Sequence, residues 1–598
     1  MEQDSDTIDG DDAGQCAGCI WRDIPANPGI AAALRAELGV AAPVAHLLAA
    51  RGIGTADAAR RFLRPSLAQL GDPFDFPGMK AAAERIAAAV AAGDKIVVSG
   101  DFDADGVGAC TVLCGVLERL GADCAAFIPD RLSEGYGLNE AGWERCKAEN
   151  PGVKLLVTVD SGITNVAQVA KVREEGVDVV VTDHHQPGGE IPRDCIVVNP
   201  QIGASPGAES LCGAGVAFKL AHALVKLDKI RRDLAAPAVD LREWLDAVAI
   251  STIADVVPLV GENRVLAAGG LNRLRNSPSR GLFALMDAAN LPAEEIGGVN
   301  VAFRLCPRIN AAGRVGSARD AYDLLRATDK DAARELAVRL NARNAERHSI
   351  ETDVFNDALA YLDEIGFDEN RDGAVVAAGG PDWHPGVLGI VAARLAARFN
   401  RPAAAISFGE DGSGRGSLRA GDAGDYDVHA AMEACAGLLS RFGGHRKAGG
   451  FAIRREDLQA FRAAFSEACR GQAGGEASCR PELDIDAWLE PEEATLDMVG
   501  ALNALEPFGE GNREPVFALR GLELAAPARA VGGEGQHLQA PFKCGDGILG
   551  AIGFFMGERA GELAAAGARF DIAGTLKPNT YNGETRLQMI LRDFRLAD

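Results

Sequence analysis

The stretch KIVVSGDFDADG, at residues 95–106, joins a short β-branched run to three closely spaced aspartates, Asp101, Asp103 and Asp105. A short apolar, β-branched run bounded by glycine is typical of a buried strand. A helical pattern follows at residues 109–121, and a second strand-like run, DCAAFIP, begins at residue 123. The order strand, helix, strand predicts a parallel sheet with helices on both faces, and so an α/β fold.

The same alternation continues along the chain, with strand-like runs KLLVTV (154–159), VDVVVT (177–182) and CIVVNP (195–200). In open parallel sheets, ligands bind at the carboxyl ends of the strands. Three of the predicted strands end in acidic or histidine residues, which are the aspartates named above, then Asp160, and then Asp183, His184 and His185. We therefore expect these side chains to gather along one edge of the sheet.

Clustered carboxylates of this kind suit a site for divalent metal ions. Hard cations such as Mg²⁺ and Mn²⁺ prefer oxygen ligands, and an added imidazole favours Mn²⁺. Two such ions about 3.5–4 Å apart can hydrolyse a phosphodiester, and Asp105 and Asp160 are candidates to bridge them. Taken alone, Asp160-Ser161-Gly162 could equally be a helix cap or turn, and the two histidines a solvated turn.

The remaining chain divides into further segments. Residues 1–20 read as a disordered acidic tail, and the parallel-sheet domain with its N-terminal helices is predicted at 21–235. Helical patterning predicts a connector at 236–370, and renewed alternation predicts a smaller α/β domain at 371–472. The Gly-rich stretch GQAGGEASCRPE (471–482) has the composition of a linker. Short strand-like runs at 473–598 predict an all-β barrel, for which an OB-fold is the natural choice.

Composition limits the classes of function. A chain of 598 residues is too long for one hydrophobic core, and its sequence contains no apolar run long enough to span a bilayer. The acidic N-terminus is unlike a signal peptide, so a cytoplasmic location is expected. The net charge of −24 argues against a broad basic surface for duplex DNA, although a narrow channel lined by Arg and Lys is still compatible with it. Cys16 and Cys19 form a lone CxxC, read here as two reduced thiols.

Several motifs together resemble the RecJ family of the DHH phosphoesterase superfamily. SGDFDADG (99–106), IPDRLSEGYGLN (128–139), VTVDSGIT (157–164) and VTDHHQP (181–187) are similar to the four N-terminal DHH motifs in order and spacing. IADVVPLVGENR and PRINAAGR resemble segments further along the family sequence. WHPGVLGIVAARL, GSGRGSLRA and RFGGHRKAGGF resemble a DHHA1-type domain, and LEPFGEGNREPVF resembles the family's OB domain.

The resemblance implies a role for each matching residue. The implied metal ligands for two Mn²⁺ or Mg²⁺ ions are Asp103, Asp105, Asp160, His184 and Asp255, with Asp101 and His185 beside them. Arg308 is implied to bind phosphate near the metals. Arg131, Ser413 and Arg415 resemble a pocket for a 5′-terminal phosphate, although Gly416 stands where the family pattern has serine.

Three further residues, His384, His445 and Arg446, match family positions for nucleic-acid binding. Glycines around His445 would let the backbone approach a phosphate closely, but a Gly-rich loop between helices is the alternative. Trp383, beside His384, could stack on a base or fill a core.

The activity implied by the resemblance is a 5′-to-3′ exonuclease specific for single-stranded DNA, acting in recombination and repair. The implied partners are single-stranded DNA with a 5′ end, a single-strand-binding protein and a RecQ-type helicase, and the protein is expected to be a monomer without membrane contact. Two alternatives stay open: a DHH-type phosphodiesterase acting on short oligoribonucleotides or cyclic dinucleotides, and a catalytically inactive replication scaffold. The presence of every implied ligand and of residues 483–598 favours the exonuclease.

Overall fold

A computed structural model describes residues 18–131, 134, 137–204, 206–233, 237–369, 371–421, 426–472, 481–564, 567–581 and 583–597. The predicted acidic tail lies largely outside the described residues, as do Cys16 and residues 473–480 of the predicted linker. The chain forms two compact units. The first comprises Met1–Arg60, His348–Ala504 and Glu514–Asp598, and the second comprises Arg61–Arg347 and Leu505–Arg513.

The strands, in chain order, are β1 (Ile20–Asp23), β2 (Lys95–Ser99), β3 (Cys124–Phe127), β4 (Val153–Thr158), β5 (Asp178–Thr182), β6 (Ile196–Val198), β7 (Val375–Gly379), β8 (Ala403–Phe408), β9 (Ser413–Arg419), β10 (Leu439–His445), β11 (Ala448–Arg454), β12 (Glu482–Ile485), β13 (Ala487–Leu489), β14 (Phe517–Glu523), β15 (Arg529–Val531), β16 (His537–Cys544), β17 (Gly547–Gly553), β18 (Arg569–Tyr581) and β19 (Glu584–Leu596).

The helices, in chain order, are α1 (Pro28–Leu38), α2 (Ala42–Ala50), α3 (Ala56–Leu63), α4 (Met79–Ala92), α5 (Ala104–Arg119), α6 (Glu140–Glu149), α7 (Val166–Glu174), α8 (Gly213–Arg231), α9 (Leu245–Ala254), α10 (Gly261–Asn276), α11 (Arg280–Ala288), α12 (Gly298–Asn300), α13 (Cys306–Val315), α14 (Ala318–Arg326), α15 (Lys330–Glu364), α16 (Leu388–Phe399), α17 (Val428–Ala434), α18 (Leu458–Gln472) and α19 (Leu496–Leu502). Among the described helices, none is long and apolar enough to cross a membrane.

The second unit is built on a five-stranded parallel sheet in the order β3-β2-β4-β5-β6. Its strands are β-branched and apolar because both faces are covered, as is usual for parallel sheets. Val98 and Val157 pack with α5 and α8 on one face, whereas Val97 and Leu156 pack with α6 and α7 on the other. Burying each such side chain contributes about 1.5–3 kcal/mol. This arrangement confirms the predicted α/β sheet.

Helices α9, α13 and α14 pack against α5, which follows β2 directly. Close packing requires small residues at the contact points. A Cβ at Gly108 of α5 would lie 1.9 Å from Ser251 Oγ, and a Cβ at Gly313 of α13 would lie 2.5 Å from the carbonyl oxygen of Phe102. Helices α9 and α13, from the segment predicted to be helical, therefore pack closely on α5, which carries Asp105. They bring Ser251 and Asn310 beside residues 102–104.

The first unit contains a five-stranded sheet in the order β10-β11-β9-β8-β7, in which only β7 and β8 are parallel. Helix α16 packs with β7 and β8 on one face, and α17 and α18 pack on the other. The stretch GGHRKAGG forms the turn between β10 and β11. The alternative of a loop between helices is therefore wrong, because backbone pairing between Gly443–Gly444 and Gly449–Gly450 makes this region a β-hairpin.

The C-terminal part of the first unit is an all-β sheet in the order β13-β14-β18-β19-β17-β16-β15, which matches the predicted OB-fold. Phe542 is fully buried there, so its aromatic ring belongs to the core, whereas Tyr581 is exposed.

Strand β1 pairs in parallel with β12. Residues up to Arg60 thus belong to the same unit as the OB-type sheet, although the sequence grouped residues from 21 onward with the parallel sheet. The predicted domain boundaries stay predictions.

Candidate metal centre

The acidic and histidine residues that follow β2, β4 and β5 lie together, because these three strands are neighbours in the parallel sheet. His184 lies at the middle of the group. Its Nε2 is 3.1 Å from Asp160 Oδ1, 3.6 Å from Asp255 Oδ2 and 3.8 Å from Asp105 Oδ2. The strand-end rule therefore placed three of these residues correctly, and Asp255 joins them from the end of α9.

Three overlapping sets of residues each offer ligand atoms that lie within 4.8 Å of one another. They are Asp160, His184 and His185; Asp105, His184 and Asp255; and Asp101, Asp103 and Asp160. Asp160 and His184 each occur in two sets. These residues could hold more than one divalent cation, and Asp160 would be a candidate ligand to each.

Backbone donors fix the three aspartates of the first motif. Asp103 begins α5 and accepts the N–H groups of Asp105 and Gly106, as an N-cap residue does. Asp105 accepts the N–H groups of Gly213 and Ala214, at 2.6 and 2.8 Å, at the start of α8. The positive end of the α8 dipole thus faces this buried carboxylate. Asp101 Oδ1 accepts the N–H of Phe102.

Asp160 occupies a left-handed turn, with φ of 57°, immediately after β4. This is uncommon for a residue other than glycine, but aspartate tolerates it better than most. Gly213 allows the turn to approach α8, because a Cβ there would lie 2.4 Å from Asp160 Cβ. The side chain of Asp160 therefore points into the cluster without a hydrogen-bond partner for its Oδ1 among the described residues.

Asp183 orients the histidine pair. It accepts the N–H groups of Ile163, His184 and His185, and its Oδ1 lies 2.7 Å from His185 Nδ1. Because an ionised carboxylate only accepts, Nδ1 of His185 must carry the proton, and Nε2 keeps a lone pair. Asp183 therefore serves as the outer partner that sets the tautomer of a ring facing the cluster.

Burial and mutual repulsion raise the pKa of the clustered carboxyl groups. Burial first, and then the neighbouring aspartates, raise the pKa of Asp101 and Asp160 well above the usual value and raise that of Asp103 as well. The same causes raise the pKa of Asp255 to about 9. Nearby negative charges of this kind need a cation to coexist in ionised form.

The pKa values of His184 and His185 shift in opposite directions. Burial lowers the pKa of His184 below its usual value, despite the nearby aspartates. Burial also acts to lower the pKa of His185, but its hydrogen bond to Asp183 and the charge of that carboxylate outweigh burial and raise it. A neutral imidazole at His184 has the form that a metal ligand needs.

The residues of this site fit divalent cations. Asp160 Oδ1, His184 Nε2 and Asp255 Oδ2 are buried atoms that lack a hydrogen-bond partner among the described residues, and the two carboxylate oxygens lie 3.1 and 3.6 Å from His184 Nε2. Buried polar atoms without partners are costly, so three in one place indicate a missing ligand. Carboxylate oxygens with one imidazole suit Mn²⁺ or Mg²⁺, and the absence of cysteine ligands in the three sets disfavours a structural zinc site.

Two of the predicted phosphate-binding arginines lie in the second unit. Arg131 lies over the ring of Phe102, 4.9 Å from its centroid, and the charges of Asp101 and Asp103 act on it. Its pKa is below the usual value because burial outweighs those charges. Arg308 lies on α13, where its Nε donates to Asn341 and another nitrogen donates to the carbonyl oxygen of Arg304.

The other predicted nucleic-acid-binding residues lie in the first unit. Ser413 and Arg415 are exposed on the same side of β9, and Ser413 Oγ donates to Asp411 at 2.6 Å. His445 is exposed at the end of β10, next to Arg446 in the hairpin turn. His384 Nδ1 accepts the N–H of Gly386. Trp383 is buried and packs against Gly379, so it fills a core and does not offer a stacking surface.

Sequence reasoning missed several residues that support the cluster. Asn310 Oδ1 accepts the N–H of Ala104, and Ser251 Oγ donates to the carbonyl oxygen of Ala104. Both hold the residue between Asp103 and Asp105. Asn310 lies within the quoted motif PRINAAGR, which could have drawn attention to it, but nothing local marks Ser251 or Gly213.

Models of three known domains match the chain. The DHH family N-terminal domain matches residues 95–252, the DHHA1 domain matches residues 372–471 and the RecJ OB domain matches residues 485–593. The first matched range contains the strand-end aspartates and histidines, and the second contains Ser413, Arg415 and His445.

Proteins that are similar over most of this chain agree with the domain matches. The single-stranded-DNA-specific exonuclease RecJ of Bacillus subtilis (strain 168) is 35% identical over 567 residues, which cover 94% of this chain and 69% of that protein. The corresponding Thermus thermophilus protein is 36% identical over 521 residues, covering 87% and 71%. A crystal structure of RecJ with Mn²⁺ from Thermus thermophilus aligns with a TM-score of 0.79 at 33% identity, covering 96% of this chain and 79% of that one.

Proposed function

The chain belongs to the RecJ family of single-stranded-DNA-specific exonucleases, and from this premise we propose that it degrades single-stranded DNA from the 5′ end and releases mononucleotides. The observation that carries the proposal is the set of buried atoms of Asp160, His184 and Asp255 that lack partners among the described residues, with both carboxylates next to His184 Nε2. Relatives that act as inactive scaffolds would have no need to retain such a cluster. The biological role that follows is DNA recombination and repair.

The proposed ligands of two Mn²⁺ or Mg²⁺ ions are Asp103, Asp105, Asp160, His184 and Asp255, with Asp101 at the edge of the site. Two such ions, when bound, activate a water for in-line attack and stabilise the leaving oxygen. The backbone N–H groups of Gly213 and Ala214 keep the Asp105 carboxylate aimed into the cluster. His185, oriented by Asp183, is proposed to lie beside the scissile phosphate or to tune the metal site through its Nε2.

Arginine and histidine side chains are proposed to bind the remaining phosphates. In the second unit, Arg131 and Arg308 supply guanidinium groups that can grip phosphate oxygens with two hydrogen bonds. In the first unit, Arg415 and Ser413 are proposed to bind the 5′-terminal phosphate. The other proposed phosphate contacts in that unit are His384, His445 and Arg446. Localised cations of this kind let a chain with a net charge of −24 bind a single strand.

Other properties rest on the family resemblance alone. Contacts with a single-strand-binding protein and a RecQ-type helicase are proposals of this kind. A monomeric state and a cytoplasmic location are further proposals.

A nuclease assay tests the proposed function directly. The full-length protein is incubated with a 5′-phosphorylated, 3′-labelled single-stranded DNA oligonucleotide and Mn²⁺ or Mg²⁺, with matched duplex and RNA substrates. We expect the labelled DNA single strand to shorten progressively from its 5′ end, the duplex and RNA substrates to stay intact, and no shortening in EDTA. Asp160→Asn should lose activity, because this carboxylate is shared between two of the ligand sets.

Asp123→Asn is a matched control, since Asp123 is an exposed aspartate in the same unit. It should retain full activity. Cleavage of the RNA substrate in preference to DNA would favour the oligoribonuclease alternative. Binding of the single strand without cleavage by either metal would favour the scaffold alternative and would exclude the proposed exonuclease.

A further inference from the structure

Residues 505–512, LEPFGEGN, belong to the second unit although they lie far along the chain from the rest of it. They pack against the turn that follows Asp255. Leu259 donates its backbone N–H to the carbonyl oxygen of Glu510 at 2.7 Å. A Cβ at Gly509 would lie 2.7 Å from Leu259 Cδ1, and a Cβ at Gly511 would lie 2.9 Å from Pro258 Cβ. Glycine on both sides of Glu510 therefore permits the close approach, most strictly at Gly511, where φ is 66° and the neighbour is the rigid ring of Pro258.

The segment 505–512 is itself a closed loop. Asn512 is buried, and its Nδ2 donates to the carbonyl oxygens of Leu505 and Pro507 at 2.9 and 2.7 Å. Backbone hydrogen bonds join Gly509 and Asn512 in both directions. The loop therefore presents a fixed backbone surface to its neighbours.

Arg264 of α10 attaches this loop to the second unit. Its guanidinium group is buried and donates to the carbonyl oxygens of Leu505, Glu506 and Pro507. The same group donates to the carbonyl oxygen of Phe62 and stacks on its ring, 3.7 Å from the centroid. A buried arginine with so many carbonyl acceptors is a strong, directional attachment.

The turn held by the loop is a strained one. Asp255 ends α9, and Val256, the next residue, has φ of 55° and an exposed side chain. A β-branched residue in the left-handed region is a genuine outlier, and such conformations persist only where the surroundings enforce them. The side chain of Val256 is in solvent and supplies no packing. The backbone on either side of Val256 supplies the constraint, through its hydrogen bond to Ile253 in α9 and through the bond from Leu259 to Glu510.

We propose that residues 505–512, attached through Arg264, are a positioning element that holds the turn after Asp255 and thereby keeps the Asp255 carboxylate within the metal cluster. The inference rests on the proposed metal site and adds to it a group of residues that touch neither metal nor DNA. Asp255 Oδ2 lies 3.6 Å from His184 Nε2, while Leu259, four residues on, is tied to Glu510. A small rotation of this turn would withdraw the carboxylate.

The test uses Gly511→Ala with Gly39→Ala as its matched control. Both glycines have φ of 66°, so both substitutions carry the same backbone strain, but an added Cβ meets Pro258 only at Gly511 and meets nothing within 4 Å at Gly39. Hydrogen exchange of the metal-free full-length protein reports the mobility of residues 255–260, and calorimetric Mn²⁺ titration reports affinity. We expect faster exchange and about 10-fold weaker Mn²⁺ binding for Gly511→Ala, in line with losses from outer partners of metal ligands, and neither change for Gly39→Ala.

Asn512→Asp gives a second reading that does not depend on strain, since it keeps the side-chain shape but removes the Nδ2 donor. It should weaken Mn²⁺ binding in the same direction and lower kcat while the KM for single-stranded DNA stays within about 2-fold. Unchanged Mn²⁺ affinity in both variants would overturn the positioning role, even if their melting temperatures fell. A wild-type protein that binds Mn²⁺ but leaves the strand uncut would instead overturn the proposed function alone.

Discussion

Asp105 in the first turn of α5 and Arg415 on β9 are proposed to act on the same strand of DNA, but their surroundings differ in almost every respect. Asp105 is buried, accepts two backbone N–H groups and faces other carboxylates. Arg415 is exposed in the middle of a strand that pairs with β8 and β11 on its two sides. The Asp105 side chain is therefore held in one orientation by its surroundings. For Arg415, strand pairing holds the backbone but not the side chain.

The difference indicates two kinds of contribution. A buried group with a fixed orientation can stabilise a transition state, because its geometry needs no rearrangement during the reaction. An exposed cation contributes mainly by attracting phosphate, and salt screens that attraction. Substitutions in the buried cluster should therefore lower kcat, and substitutions on β9 should mainly raise KM.

The largest effect is expected for Asp255→Asn. The amide keeps the shape of the side chain but loses the negative charge, and we expect kcat to fall by roughly 10²–10³-fold, the scale for removing one preorganised electrostatic group. In EDTA, the melting temperature should not fall, because burial, and then the charges of Asp105 and Asp103, already disfavour the ionised form of Asp255 in the metal-free protein. Steady-state kinetics on a 5′-phosphorylated single strand and thermal unfolding measure the two quantities.

A smaller effect on kcat is expected for Gly213→Ala, which leaves every proposed ligand in place. The added Cβ would lie 2.4 Å from Asp160 Cβ and would push that turn away from α8. We expect kcat to fall by about 10-fold and the apparent Mn²⁺ affinity to weaken, since the ligand geometry loosens. Gly500→Ala is the matched control in α19, where nothing lies within 4 Å. Equal activity of the two variants would contradict the close approach of α8 and Asp160.

The parts of the molecule that local patterns determine could be predicted from the sequence. Strands β2, β4 and β5 follow from β-branched runs, and the strand-end rule then brings Asp105, Asp160 and His184 together without further information. The hairpin formed by β10 and β11 was not predicted, because its glycines carry no strand pattern and β11 pairs with β9 as well.

Contacts between residues far apart in the sequence could not be predicted from local patterns. Asp255 ends a helix about 70 residues after His184, and only the family resemblance assigned it to the site. The loop at 505–512 contacts residues 258–259 across about 250 residues of sequence, with no local signal for that pairing. Which helix end meets which strand end is a property of packing, and a single sequence does not encode it in any short window.

For the exposed residues of β9, the larger effect is expected for Arg415→Ala. It should raise KM for 5′-phosphorylated single-stranded DNA by about 10-fold, the cost of one good charged contact. The value of kcat should change by less than about 2-fold. Losing one phosphate contact should also reduce the salt dependence of binding by about 0.7 in the log–log slope. Arg398→Ala, an exposed arginine of α16 in the same unit, is the charge-matched control. A fall in kcat without a change in KM would place Arg415 with the buried cluster.

The smallest effect is expected for Ser413→Ala on the same strand. Its hydroxyl already donates to Asp411 at 2.6 Å, so a phosphate would have to compete with this carboxylate for the proton. We expect KM to rise by no more than about 3-fold, within the range of one neutral hydrogen bond. The double variant with Arg415→Ala separates two cases in a KM measurement. If both residues bind the same phosphate, the KM of the double variant will rise by less than the product of the two single-variant increases. If their contacts are independent, the two increases in KM will multiply.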